Sequence, residues 1–106
     1  MRRADFTYYM HDGPAAFRFE LVGDLCHDAT ADLDQARQTA SSVFGGRSLI
    51  VDLTSIQSMD AAGRELIAKW HTLGAQFVVT TSQAMARIQS MATASIPLRR
   101  EARWRH

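Results

Sequence analysis

Two short stretches of this 106-residue chain hold the side chains best suited to chemistry. The first is Asp24-Leu25-Cys26-His27-Asp28, where a thiol, an imidazole and two carboxylates stand close together. Such a set offers zinc ligands, although a quiet, partly buried thiol is the simpler reading of Cys26. A zinc site needs a second Cys/His pair at ligand spacing, which the sequence lacks, and adjacent residues rarely all point at one ion. The second stretch runs from Thr54 through Ser55, Gln57 and Ser58 to Asp60-Ala61-Ala62-Gly63-Arg64. Here hydroxyls and an amide precede a helix start, and Asp60 is placed to accept from its free amide groups.

Catalysis would need more. A nucleophile requires a base and an orienting acid beside it. His11 falls in a turn, His71 late in a helix on its solvent side, and His106 at the terminus, so none is set against a serine or Cys26. Asp52 is the one acid at the end of a central strand, whereas a Mg²⁺ site of the receiver type needs several. No glycine-rich phosphate loop is present. The pattern points to recognition without an enzymatic step, cofactor or metal.

The elements that position these residues follow from periodicity. Phe6-Thr7-Tyr8-Tyr9-Met10 has strand composition, and His11-Asp12-Gly13-Pro14 has turn composition. Phe17, Phe19 and Leu21 alternate with Arg18 and Glu20, which marks a half-buried strand and completes an opening hairpin. Gly23 is expected to end that strand, and Asp28 to cap a helix bearing Leu33, Ala36, Ala40 and Val43 or Phe44, closed by Gly45-Gly46. Ser48 to Leu53 is an apolar strand of the kind covered on both faces, followed by a polar loop. A helix over 61–73 is expected to bury Ala62, Leu66, Trp70 and Leu73, with Ile67 at the margin and Arg64, Glu65 and Lys69 exposed. Gln76 to Thr80 is a strand, and Ser82 caps a last helix carrying Met85, Ile88 and Met91 or Ala92. The order β-β-α-β-α-β-α implies right-handed crossovers and a largely parallel sheet, antiparallel only at its first strand.

Length and charge set further bounds. The chain is one domain over 1–98 with a basic tail over 99–106. The tail holds four arginines and one glutamate; with a total of +1, residues 1–98 carry −2. The globular part is therefore no basic nucleic-acid module, although the tail with Trp104 offers a weak contact to an anionic surface. One cysteine suits the cytosol, and neither a signal peptide nor an apolar stretch of about 20 residues is present.

Four motifs in order carry a resemblance: Gly23-Asp24-Leu25 before a helix, Val51-Asp52-Leu53-Thr54, Met59-Asp60-Ala61-Ala62-Gly63 at the next helix start, and Gly74 before the following strand. Together, over about residues 6–92, the chain resembles the STAS domain of anti-sigma factor antagonists and sulfate transporters. The resemblance implies a SpoIIAA-like α/β fold: a mixed, mostly parallel sheet of about four strands with an opening hairpin, flanked by about three helices. It implies a cytoplasmic, bacterial regulatory module whose partner is an anti-sigma factor of the ATP-binding kinase kind or an ATPase subunit of a transporter. In the antagonists a serine or threonine after the helix-opening aspartate takes a phosphate that switches binding off. Here that position is Ala61, followed by Ala62, so neither side chain can accept one. The expected docking surface comprises Thr54, Ser55, Gln57, Ser58, Asp60, Ala61, Ala62, Gly63, Arg64 and Lys69, rimmed by Asp24, Cys26, His27 and Asp28. The alternative is a lipid or nucleotide held at the same end of the sheet, or an accessory subunit of a membrane transporter.

Overall fold

The computed structural model describes residues 6–42, 45–91 and 96–101. Its elements are β1 (Phe6–Asp12), β2 (Ala16–Leu25), α1 (His27–Ser41), β3 (Ser48–Met59), α2 (Ala61–Thr72), β4 (Gln76–Val79), α3 (Ser82–Met91) and β5 (Leu98–Arg100). They build one sheet of order β1-β2-β3-β4-β5, with β1 antiparallel to β2 and every later pairing parallel. The expected α/β class, the opening hairpin and the mostly parallel sheet are all observed, with five strands. Among the described residues no helix is long and apolar enough to cross a membrane. The sequence expectations for Val43, Phe44, Ala92 and Trp104 lie outside the described residues.

Strand order runs in step with chain order from β2 to β5. Three right-handed crossovers taken in one direction place α1, α2 and α3 on the same face of the sheet. That face is the core. Phe19, Val51 and Phe77 stand in register across β2, β3 and β4. The edge of Trp70 from α2 meets the Phe19 ring with centroids 5.5 Å apart. Trp70 and Phe19 are fully buried, an arrangement aromatic pairs favour. Strand alternation sends Arg18, Glu20, Ile50, Asp52 and Val78 to the opposite face. β3 is therefore not a strand under helices on both sides. The second face mixes apolar Ile50 and the buried Val78 with polar groups, among them a buried Arg18 ion-paired with Glu101.

Both central strands outrun their expected ends. Gly23 does not stop β2; with φ at +106° it accommodates a register shift, and pairing resumes through Asp24 and Leu25. β3 likewise continues through the expected polar loop, because Val22 pairs with Ser55, Gly23 with Ile56, Asp24 with Ser58 and Leu25 with Met59. Ile56 and Met59 supply the buried anchors that make this extension worth ordering.

The helix ends differ in detail. α1 is capped by Cys26, not Asp28, which lies in its first turn. α3 is capped by Thr81, whose Oγ1 accepts from Ala84 N–H at 3.0 Å, not by Ser82. In α2, Ile67 is fully buried, whereas Leu73 is 58% exposed. The helix stops at Thr72, and Gly74, with φ at +100°, turns the chain so that Ala75 takes the inner place. At the C-terminal end, Leu98–Arg100 forms β5 against β4, so the sheet extends past the boundary drawn at residue 98 from charge alone.

Candidate functional site

At the C-terminal ends of β2 and β3 the starts of α1 and α2 come together. Asp60 has extended backbone angles, and its Oδ1 accepts from Gly63 N–H at 2.9 Å, the N-cap expected from sequence. Its Oδ2 accepts from His27 N–H, also at 2.9 Å. The bond from Gly63, only partly opposed by burial, and then that from His27 hold the Asp60 carboxyl below the usual carboxylate range. Asp60 and Ala61 are exposed and Ala62 is half-buried. The tip of α2 is thus open, and its first two side chains are methyl groups.

Gly63 is buried for a steric reason. A Cβ there would drive into the Leu25 carbonyl oxygen and stand 3.1 Å from Leu25 Cγ. The helix start therefore rests directly on the end of β2, and Asp60 N–H donates to the same carbonyl at 3.2 Å. Arg64 is half-buried, not free on the exposed face, because its Nη1 folds back to donate to the Met59 carbonyl at 3.3 Å.

The rim residues join this tip. Ser58 Oγ donates to Asp24 Oδ1 at 2.8 Å, a contact set by the strand pairing of the two residues. The Cys26 carbonyl accepts from Ala29 and Thr30 N–H, while His27 and Asp28 are exposed at the first turn of α1. Asp24, Cys26, His27 and Asp28 do not converge as ligands: among the described residues no three His, Cys, Asp or Glu side chains could hold one metal ion.

Three of the expected residues serve the interior or lie apart. Thr54 Oγ1 donates to Asp52 Oδ1 at 2.6 Å and accepts from Thr80 N–H at 2.9 Å, tying β3 to the end of β4. Ser55 is half-buried, whereas Gln57 and Ser58, farther along the same strand, are exposed. Lys69 lies more than a turn beyond Arg64 and bonds Asp34 of α1 at 2.7 Å. It belongs to an interhelical cluster in which Asp34 also accepts from Trp70 Nε1 at 2.9 Å, from Arg37 and from Gln38. Burial alone would raise the Asp34 carboxyl, but Lys69, Trp70, Arg37 and Gln38 outweigh it and bring it down to about 2.

Sequence reasoning passed over Arg87. β3 outlasts the four-residue β4, so carbonyls on its open edge lack a strand partner. Arg87 fills that notch, with Nη2 donating to the Thr54 carbonyl at 2.8 Å and Nε to the Ile56 carbonyl at 3.0 Å. The signal was hidden because it depends on the unequal lengths of two strands. A cavity of about 200 Å³, lined by His71, Phe77, Pro97 and Arg99 among others, lies at the opposite end of the sheet, where β4 and β5 begin.

No protein-family model matches the sequence, and a search of curated proteins gives no match either. Solved structures do match. An anti-sigma factor antagonist from Mycobacterium paratuberculosis superposes with a TM-score of 0.64 at 14% identity, covering 90% of this chain and 86% of that one. The unphosphorylated form of the anti-sigma factor antagonist SpoIIAA gives 0.61 at 16%, with 92% and 90% covered. A DUF3478 protein of SpoIIAA-like fold from Shewanella loihica PV-4 gives 0.60 at 10%, with 95% and 88% covered. Identities this low speak to architecture alone, and TM-scores of 0.60–0.64 over nine-tenths of this chain show a shared fold. The chain has the SpoIIAA-like fold.

Proposed function

We propose that this protein is a non-enzymatic regulatory module that docks a protein partner through the α2 tip and the adjoining α1 start, in the cytoplasm of a bacterium. The observation that carries this reading is the open tip itself: Asp60 and Ala61 are exposed at a helix end that the fold presents at the edge of the molecule. By likeness of fold to the antagonists, the partner is an anti-sigma factor of the ATP-binding kinase kind; a transporter ATPase subunit is the other partner type. With methyl groups at Ala61 and Ala62, binding is constitutive or governed from the partner's side. Asp24, Cys26, His27, Asp28, Gln57, Ser58 and Arg64 complete the surface. Lys69 and Thr54 support it from behind through their bonds to Asp34, Asp52 and Thr80.

A small lipid or nucleotide at this same end draws no support from the described cavity. That cavity opens at the far end of the sheet, and its volume of about 200 Å³ falls below the roughly 300 Å³ at which ligand pockets begin.

The test is affinity capture from the native host followed by an Arg64→Glu variant. Glutamate is favoured near a helix N-terminus, so the fold should persist. The captured partner should be lost at least tenfold more readily from the variant. Unchanged binding would move the interface elsewhere. Mass spectrometry of the native protein should find no phosphoryl group at 58–64; one at Ser58 would contradict an unswitched surface.

A further inference from the structure

α1 begins on Cys26, whose side chain makes no cap bond. The first amide of that helix is served from 33 positions away, by Asp60 Oδ2. The other oxygen of the same carboxylate serves α2 through Gly63. One side chain thus closes two helix starts that belong to successive crossover units. The two segments are joined twice more, by Asp60 N–H to the Leu25 carbonyl at 3.2 Å and by Ser58 Oγ to Asp24 at 2.8 Å. An ordinary N-cap needs a single oxygen, which serine supplies equally well. The carboxylate is what allows the second bond.

We infer that Asp60 is a positioning residue that locks the start of α1 to the tip of α2, so that His27-Asp28 and Ala61–Arg64 meet a partner as one preformed surface. The docking consequence rests on the function proposed above; the lock itself does not. Holding both halves in their bound arrangement removes an ordering cost that the partner would otherwise have to meet.

Two variants separate the lock from ordinary capping. Asp60→Ser keeps one oxygen for Gly63 N–H and has none that reaches His27. His27→Pro removes the donor from the other side. Proline suits the first helical position, and the preceding Cys26 already has the extended angles it requires, φ −125° and ψ 174°. The first readout is amide hydrogen exchange by NMR. In Asp60→Ser the His27 amide should exchange about tenfold faster, the loss expected for a charge-assisted bond, while Gly63 changes by less than about twofold. In His27→Pro the Asp60 amide should exchange several-fold faster as its hold on Leu25 loosens. Unchanged rates at His27 and at Asp60 would overturn the lock, as would equal loss at His27 and Gly63.

The second readout is affinity for the protein captured with the wild-type chain. Each single variant should weaken it by about tenfold, and the double variant no more than the weaker-binding single, because both remove the same bond. Full affinity in these variants, where Arg64→Glu is impaired, would overturn the positioning role. Full affinity in all three would instead refute the docking reading, and the exchange rates would still decide the lock.

Discussion

Replacing Gly63 by alanine sets two local effects against each other. In an exposed helix the change would stabilise by about 1 kcal/mol, since glycine is the poorer helix former. Here the new Cβ meets the Leu25 carbonyl oxygen, which is backbone and cannot swing aside. A relaxed carbon-to-oxygen contact needs about 3.3 Å or more, so the start of α2 must retreat by roughly 1 Å. That retreat stretches Asp60 N–H to Leu25, already 3.2 Å, and His27 N–H to Asp60 Oδ2 at 2.9 Å. Overpacking costs about 1–3 kcal/mol and each weakened bond up to about 1 kcal/mol. Against the propensity gain, the net should be a loss of about 2 kcal/mol. Urea unfolding followed by far-UV circular dichroism should show the midpoint fall at unchanged slope, and the melting temperature should drop by roughly 8 °C. A variant as stable as the parent, or more so, would refute the claim that α2 is seated hard on β2.

Asp34→Ala should cost about 2–4 kcal/mol in the same assay, because it strands the Trp70 indole N–H and removes the partner of Lys69 and Arg37. The parent should also show an acid dependence that this variant lacks. Asp34 lies at about 2 in the folded state against an ordinary 3.8, so its contribution is full above pH 4 and is lost as pH falls toward 2. Allowing for solvent screening, that lost increment is about 1–2 kcal/mol, read from urea midpoints taken across the window. Arg87→Met should destabilise by about 2 kcal/mol, with faster hydrogen exchange concentrated in 54–59, since the Thr54 and Ile56 carbonyls lose their donor.

The order from β1 to α3 was legible because each of these elements is marked by local chemistry: alternation in Phe17–Leu21, helical spacing through Leu66 and Trp70, and glycines at the turns. Asp60 was legible as a cap for the same reason, since the bond to Gly63 spans three residues. β5 was not, since Leu98–Arg100 has the composition of the basic tail and is strand only by its pairing with β4. Strand lengths were not either. Ser55, Gln57 and Ser58 have loop composition, and only their pairing with Val22–Leu25 makes them strand, a fact written in β2 and not in β3. Helix placement on one face was likewise missed, because an apolar run such as Leu49–Val51 does not say what covers each side. Lys69 has the helical position of a surface charge; its bond to Asp34 depends on how α1 crosses α2, which no local pattern encodes. The second bond of Asp60, to His27, was hidden for the same reason.

The guanidinium that fills the notch beside β3 has one more effect. Thr54 and Ile56 would otherwise offer a visiting peptide the main-chain acceptors it needs to add itself as a strand. With Arg87 already bonded to both, that mode of capture is closed at the very edge nearest the α2 tip. On the docking proposed above, a partner at the α2 tip cannot add itself as a strand through these two carbonyls, so it is selected by other contacts than those of an extended backbone.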